Sequence, residues 1–182
     1  EHSAVIVDFA GTQIAESDLP CSAHKKTNAE LLVEADALLE DILKKANLTR
    51  EQISGVGVGL AGMVDHKKGI VPWSPILHEK NVDLRGLLTA HFGLPVYIDN
   101  DANMLTLAEL WFGAGRDRSS FAVVTIEYGV GMGLVIDNQL YRGSEGLGLE
   151  LGHTKVQLDG ALCRCGHRGC LEAYVADYAL VR

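Results

Sequence analysis

Three cysteines crowd into eight residues near the end of the chain, Cys163-Arg-Cys165-Gly-His-Arg-Gly-Cys170, and Glu150-Leu-Gly-His153 stands just ahead of them. This cluster constrains the fold more than any other stretch. Gly166 and Gly169 let the backbone double back, so that soft sulfur donors and an imidazole converge as a tetrahedral zinc ion prefers. A closed set of three thiolates and one imidazole leaves no position for water or substrate, so zinc here would be structural and would hold neighbouring side chains in place. Those neighbours are Glu150 and Glu172. His153, preceded by Gly152, competes with His167 inside the cysteine loop for the fourth place. The spacing C-x-C-x4-C is not a pair of C-x-x-C knuckles, so unligated buried cysteines and a disulfide are rival readings. Glu150 and Glu172 also have a plainer reading, as solvated or helix-capping carboxylates.

A chain of 182 residues, 47% hydrophobic and 22% charged, is long and apolar enough to bury one good core or two small ones. Its formal charge of −8 argues against this segment wrapping nucleic acid or an anionic membrane, since both need a basic face. No apolar run approaches the ~18 residues that span a bilayer, and no basic segment followed by an apolar one opens the chain. A cytoplasmic location is expected. Cys21, far from the other three cysteines, suits a reducing compartment.

Ahead of the cluster, strand-like and helix-like stretches alternate. Ala4 to Val7 and Gln13 to Ala15 flank Asp8-Phe-Ala-Gly11, a hairpin whose turn the glycine closes. Thr27-Asn-Ala-Glu30 is a capping box, and Leu31, Ala35, Leu38, Ile42 and Ala46 share one face of a helix that Asn47 closes. Ser54 to Leu60 reads as a buried strand running into Ala61-Gly62, where backbone can approach a ligand closely. A long loop through Pro72-Trp73-Ser74-Pro75 follows. Asp83 caps a short helix to Phe92, Gly93 ends it, and Leu94 to Ile98 forms the next strand. This alternation predicts a largely parallel sheet. Asn100 and Asp101 stand where that strand gives way to the helix Ala102 to Phe112, the edge where α/β proteins place ligand groups. Both residue types also serve as ordinary N-caps.

Gly113 to Ser120, polar and without periodicity, marks a domain boundary. Phe121 to Tyr128, the glycine turn Gly129-Val-Gly131-Met-Gly133, Leu134 to Ile136, and Gln139 to Arg142 then read as strand, turn, strand, hairpin and strand. Gly129, Gly131 and Gly133 can present N–H groups to phosphates, although a lone G-x-G-x-G between strands is more often a tight turn.

Taken together, Glu150-x-Gly-His153, Cys163-x-Cys165-Gly-x-x-Gly-Cys170-x-Glu172, Asn100-Asp101, Gly59-Leu-Ala-Gly62 and Leu140-Tyr-Arg-Gly143 resemble the ROK family over nearly the whole chain. That family contains bacterial sugar kinases and sugar-responsive repressors on an α/β, actin-like (ribonuclease H-like) scaffold of two lobes. The resemblance implies that zinc is held by His153, Cys163, Cys165 and Cys170. It implies that Asn100, Asp101, Glu150, His153 and Glu172 surround a hexose-like sugar in the interlobe cleft, with the backbone near Gly62 closing one side. In the family's kinases the residue matching Asp101 is the general base that takes the proton of the attacking hydroxyl, and Gly129, Gly131 and Gly133 lie over Mg-ATP.

Departures from the family pattern direct the reading. Asp8-Phe-Ala-Gly-Thr12 superficially resembles the first phosphate loop, D-x-G-G-T, but too few residues separate it from the first helix, so it belongs to a hairpin. The expected organisation is therefore an N-terminal lobe, residues 1–117, lacking its first strand, and the start of a C-terminal lobe, residues 118–182, carrying the zinc loop. The fold would be incomplete at both ends. The second phosphate loop reads Glu127-Tyr128-Gly-Val-Gly-Met-Gly where the kinases usually read G-T-G-x-G-G-G. A carboxylate ~5 Å from a phosphate charge, at an effective dielectric near 20, costs roughly 3 kcal/mol, which weakens ATP about a hundredfold. The expectation is the sugar-sensing effector domain of a transcriptional regulator. Its operator DNA would be bound through a separate N-terminal helix-turn-helix domain, and the intact protein would be a homodimer or larger. An ATP-dependent sugar kinase with Asp101 as its base is the alternative.

Overall fold

The computed structural model describes residues 2–21, 24–143 and 148–181. The outermost residues of the two expected lobes, Glu1 and Arg182, therefore lie outside the described set. Strands β1 (His2–Val7) and β2 (Gln13–Leu19) pair antiparallel from His2 opposite Leu19 to Val7 opposite Gln13. Their turn is built by Asp8, whose Oδ1 accepts the N–H groups of Ala10 and Thr12, each at 2.8 Å. The Thr12 amide is the main cause that holds the Asp8 carboxyl below the usual carboxylate range. Asp8 to Thr12 is thus a hairpin turn, as the chain-length argument required.

Helix α1 (Asn28–Ala46) starts on a reciprocal capping box. Glu30 N–H donates to Thr27 Oγ1 at 3.3 Å, and Thr27 N–H donates to Glu30 Oε2 at 2.7 Å. It stops at Asn47, which takes the left-handed conformation (φ 54°) that a short polar side chain tolerates. Leu31, Leu32, Ala35 and Leu39 on its inner face pack against a core of Leu60, Val64, Val71, Leu77, Val82, Leu84, Leu88, Phe92, Val96 and Ile98. That core is supplied by β3 (Val56–Leu60), β4 (Met63–Asp65), β5 (Ile70–Trp73), α2 (Leu84–Phe92) and β6 (Val96–Asn100). Leu88 is 2% exposed, so Leu88→Ala should lower stability by about 2–5 kcal/mol in urea unfolding.

The stretch after Gly62 is not one long loop. It contains β4 and β5, paired antiparallel with Met63 opposite Trp73. Gly62 makes the entry possible: its φ is +114°, and a Cβ there would sit 2.7 Å from Ser74 Cα. Nor do the hairpins fit a largely parallel sheet. The ladders β1–β2 and β4–β5 are antiparallel because tight turns join those strands, and among the described residues only the β3–β6 neighbours are separated by helix-bearing chain.

The chain forms two compact units, Glu1–Asp99 and Asn100–Arg182. The division falls after Asp99, ahead of the polar stretch Gly113 to Ser120, because helix α3 (Asp101–Trp111) packs on β7 (Phe121–Ile126) and β8 (Val130–Ile136). Strand β9 (Gln139–Tyr141) completes an antiparallel sheet in the order β7-β8-β9. Asp137 and Asn138 both have positive φ, 49° and 62°, as a two-residue hairpin turn of matching twist requires.

Here the expected glycine turn changes character. Gly131 and Gly133 lie inside β8, opposite Thr125 and Val123, and the turn is only Glu127 to Gly129. Their small size serves packing. A Cβ on Gly133 would overlap Thr106 Oγ1 and come within 2.9 Å of the Ala102 carbonyl, both on α3. Short helices α4 (Glu172–Val175) and α5 (Asp177–Leu180) follow the cysteine loop.

Candidate metal centre and ligand site

The cysteine loop is folded by glycine and by short backbone pairings. Gly166 (φ +88°) and Gly169 (φ +76°) adopt conformations that side-chain-bearing residues rarely take. Cys163 N–H donates to His167 O at 2.8 Å and Gly169 N–H to Ala161 O at 2.9 Å. The Tyr174 hydroxyl clasps the loop from α4, accepting from Ala161 N–H at 2.8 Å and donating to Gln157 Oε1 at 3.1 Å.

These turns bring donor atoms of His153, Cys163, Cys165 and Cys170 within 4.8 Å of one another. Zinc–sulfur bonds of about 2.3 Å and zinc–nitrogen bonds of about 2.0–2.1 Å make a tetrahedron with edges of about 3.8 Å between sulfurs and about 3.6 Å from sulfur to nitrogen. Cys165 Sγ lies 3.7 Å from Cys170 Sγ, and His153 Nδ1 lies 3.8 Å from Cys163 Sγ. The set therefore fits a structural zinc. All three thiols are free, at a separation far beyond the ~2.05 Å of a disulfide. His167 Nδ1 approaches Cys165 Sγ at 3.6 Å from the exposed side and is outside the converging set.

The surroundings oppose a full set of thiolates without a cation. Burial pushes the Cys163 thiol up to about 11, whereas Cys170 is held below its ordinary value by Lys155, whose Nζ donates to Cys170 Sγ at 2.9 Å. A dication would remove the Cys163 penalty, because a thiol loses its proton to solvent as its sulfur coordinates the metal. Lys155 would then be an outer partner to one sulfur.

Glu172, the first residue of α4 and 8% exposed, is tied into the same network. Its Oε2 accepts Val130 N–H at 3.2 Å, and its Oε1 lies 3.4 Å from the Tyr178 hydroxyl and 3.6 Å from Cys163 Sγ. Burial raises the Tyr178 hydroxyl to about 12, so it remains a donor. His153 faces two ways: Nδ1 looks toward Cys163, and Nε2 lies 4.0 Å from Glu150 Oε2. Glu150 itself is exposed.

At the start of α3, Asn100 Oδ1 accepts N–H groups of Ala102 at 3.0 Å and Asn103 at 3.3 Å, so this oxygen is a helix cap. Asp101 is exposed in the first turn, with Oδ1 accepting Ala102 N–H at 2.9 Å. Gly129 belongs to the β7–β8 turn, where a Cβ would meet Glu172 Oε2 at 3.2 Å. Gly62 lies in the first unit.

Sequence reasoning missed the clamp on that turn. The Arg164 guanidinium, between two of the cysteines, stacks 4.0 Å from the Tyr128 ring centroid and 3.9 Å from that of Tyr178. Asp177 N–H also donates to Glu127 O at 2.9 Å. No spacing rule links Tyr128 to Arg164; only the turn geometry brings them together. Lys155 and Tyr178 were missed for the same reason.

A model described as the ROK family matches residues 2–182. A xylose repressor from Caldicellulosiruptor bescii is 36% identical over 179 residues, covering 97% of this chain and 44% of that protein. A solved ROK family glucokinase from Streptomyces griseus, in complex with glucose and AMPPNP, superposes with a TM-score of 0.85 at 33% identity, covering 99% of this chain and 55% of that one. A ROK family transcriptional regulator, a homologue of the E. coli MLC protein, gives 0.83 at 27% identity over 98% of this chain and 45% of that one. The chain thus spans about half the length of these relatives.

Proposed function

The chain belongs to the ROK family and carries its actin-like α/β fold, and from that premise we propose that it is the sugar-sensing part of a transcriptional regulator with a structural zinc. Zinc is held by His153, Cys163, Cys165 and Cys170. Asn100, Asp101, Glu150, His153 and Glu172 bind the hydroxyl groups of a hexose-like or pentose sugar. Carboxylates and an imidazole can each pair with sugar hydroxyls, and an epimer that mispairs one leaves buried polar groups unsatisfied. Zinc orients the His153 ring so that Nε2, on the Glu150 side, is presented to the ligand.

The β7–β8 turn carries the choice of regulator over kinase. Glu127 brings a carboxylate to the phosphate-loop position, and the Tyr128 ring is stacked on Arg164 instead of leaving a small hydroxyl for a phosphate. Operator DNA is bound by a helix-turn-helix segment outside these residues, because a formal charge of −8 offers no basic face. The intact protein works as a homodimer or larger assembly in the cytoplasm, where the three thiols stay reduced. Among the described residues no helix is long and apolar enough to cross a membrane.

A kinase reading is favoured by one observation, the exposed Asp101 carboxylate at the start of α3. The test is calorimetric titration of the full-length protein with xylose, glucose and amino sugars, alongside ATP-dependent phosphorylation of the same sugars. Binding of one sugar without turnover of any supports the sensor. Phosphorylation would instead make Asp101 a general base and Mg-ATP the cosubstrate. Glu150→Gln should weaken sugar binding about ten- to a hundredfold with unchanged melting, and retained affinity would remove Glu150 from the ligand set.

A further inference from the structure

We propose a second metal site in the first compact unit, in which His2, Cys21 and Glu34 hold a zinc-like divalent ion. It is independent of the cysteine loop. The three residues come from separate places in the fold, the start of β1, the segment after β2 and the middle of α1, yet their donor atoms lie within 4.8 Å of one another. One nitrogen, one sulfur and one carboxylate oxygen form a mixed set of borderline character, which suits zinc and cobalt and suits calcium or magnesium poorly.

Two of the donors are already in register. His2 Nε2 and Glu34 Oε2 are 2.7 Å apart, whereas two ligands of one tetrahedral zinc stand about 3.3 Å apart, so a small separation admits the ion between them. The other Glu34 oxygen and the Cys21 side chain share one buried cation. Lys26, 1% exposed, donates from Nζ to Glu34 Oε1 at 2.6 Å and also hydrogen-bonds Cys21. That ammonium braces both anionic donors and leaves Oε2 as the metal-facing oxygen. It also adds a positive charge beside the ion, so this site binds zinc more weakly than the cysteine loop.

Binding is a proton exchange. The zinc–sulfur bond forms as the Cys21 thiol releases its proton to solvent, while His2 binds as the neutral imidazole and Glu34 as the carboxylate. Three protein ligands leave a fourth position for water. Zinc here is therefore exchangeable, and the site resembles an open centre more than a closed structural one.

The test counts zinc per chain by elemental analysis after equilibration with buffered free zinc. It uses the wild type, Cys21→Ser, His2→Ala and Cys165→Ser, with circular dichroism to confirm folding. Two zinc ions are expected in the wild type and one in each variant. Cobalt substitution separates the centres, since loss of Cys21 should remove only the weaker thiolate-to-cobalt band and Cys165→Ser the stronger one. A zinc count and cobalt spectrum unchanged by both Cys21→Ser and His2→Ala would overturn the proposal. If Cys165→Ser alone left the count unchanged, the cysteine-loop assignment would fail while this one stood.

Discussion

Cys165→Ser is expected to lose one zinc per chain and to unfold the second compact unit at markedly lower temperature and denaturant than the wild type. Cys165 is exposed, so replacing its sulfur by oxygen opens no cavity, and the loss reports on the metal alone. Structural zinc contributes on the order of 10 kcal/mol in small sites, and a set reduced to two thiolates and an imidazole forfeits much of that. The effect should centre on the loop: Gly166 and Gly169 lose the anchor that opposes their freedom, and Cys163 is left buried with its raised thiol. Unchanged zinc content and melting would remove the assignment.

Gly133→Val is the second large expected effect, and it involves no metal. The new Cβ would overlap Thr106 Oγ1 and crowd the Ala102 carbonyl. Thr106 is 0% exposed and its hydroxyl already donates to Ala102 O at 2.7 Å, so it cannot swing aside without breaking that bond. Helix α3 must then lift from β8, at a cost of about 3 kcal/mol or more, read as a drop of roughly 10 °C or more in the melting of the second unit. Gly131→Ala provides the comparison. Its Cβ meets Thr125 Oγ1 at 2.7 Å on a less buried surface, and a smaller loss is expected. Equal melting of Gly133→Val and wild type would show that α3 does not rest on β8 as described.

Local signals were the legible ones. The capping box at Thr27 and Glu30, the caps at Asp83 and Gly93 and the Asp137-Asn138 turn depend on neighbours in sequence, and each appears where residue chemistry put it. What short-range patterns could not carry was partnership. The β4–β5 hairpin was hidden because Pro72 and Trp73 look like loop residues, although Trp73 pairs opposite Met63. Gly131 and Gly133 looked like a turn, since nothing in a strand's own sequence tells that a helix will press against it. Spacing left His153 and His167 as rivals beside the three cysteines, and His153 was singled out by the family resemblance; Lys155, Tyr178 and the stacking of Arg164 on Tyr128 depend on contacts that spacing does not encode.

Glu172 carries a burden that affects how mutational data on this site should be interpreted. One oxygen pins the β7–β8 turn through Val130 N–H, and the other meets Tyr178 and Cys163 beside the cysteine cluster. Any substitution there perturbs turn, aromatic clamp and thiol environment together, so a lost sugar response at Glu172 cannot be assigned to a missing ligand contact. Glu150 is exposed and, among the described residues, meets the cluster through its approach to His153, so under the proposed sugar-binding role it is the residue at which recognition and architecture separate.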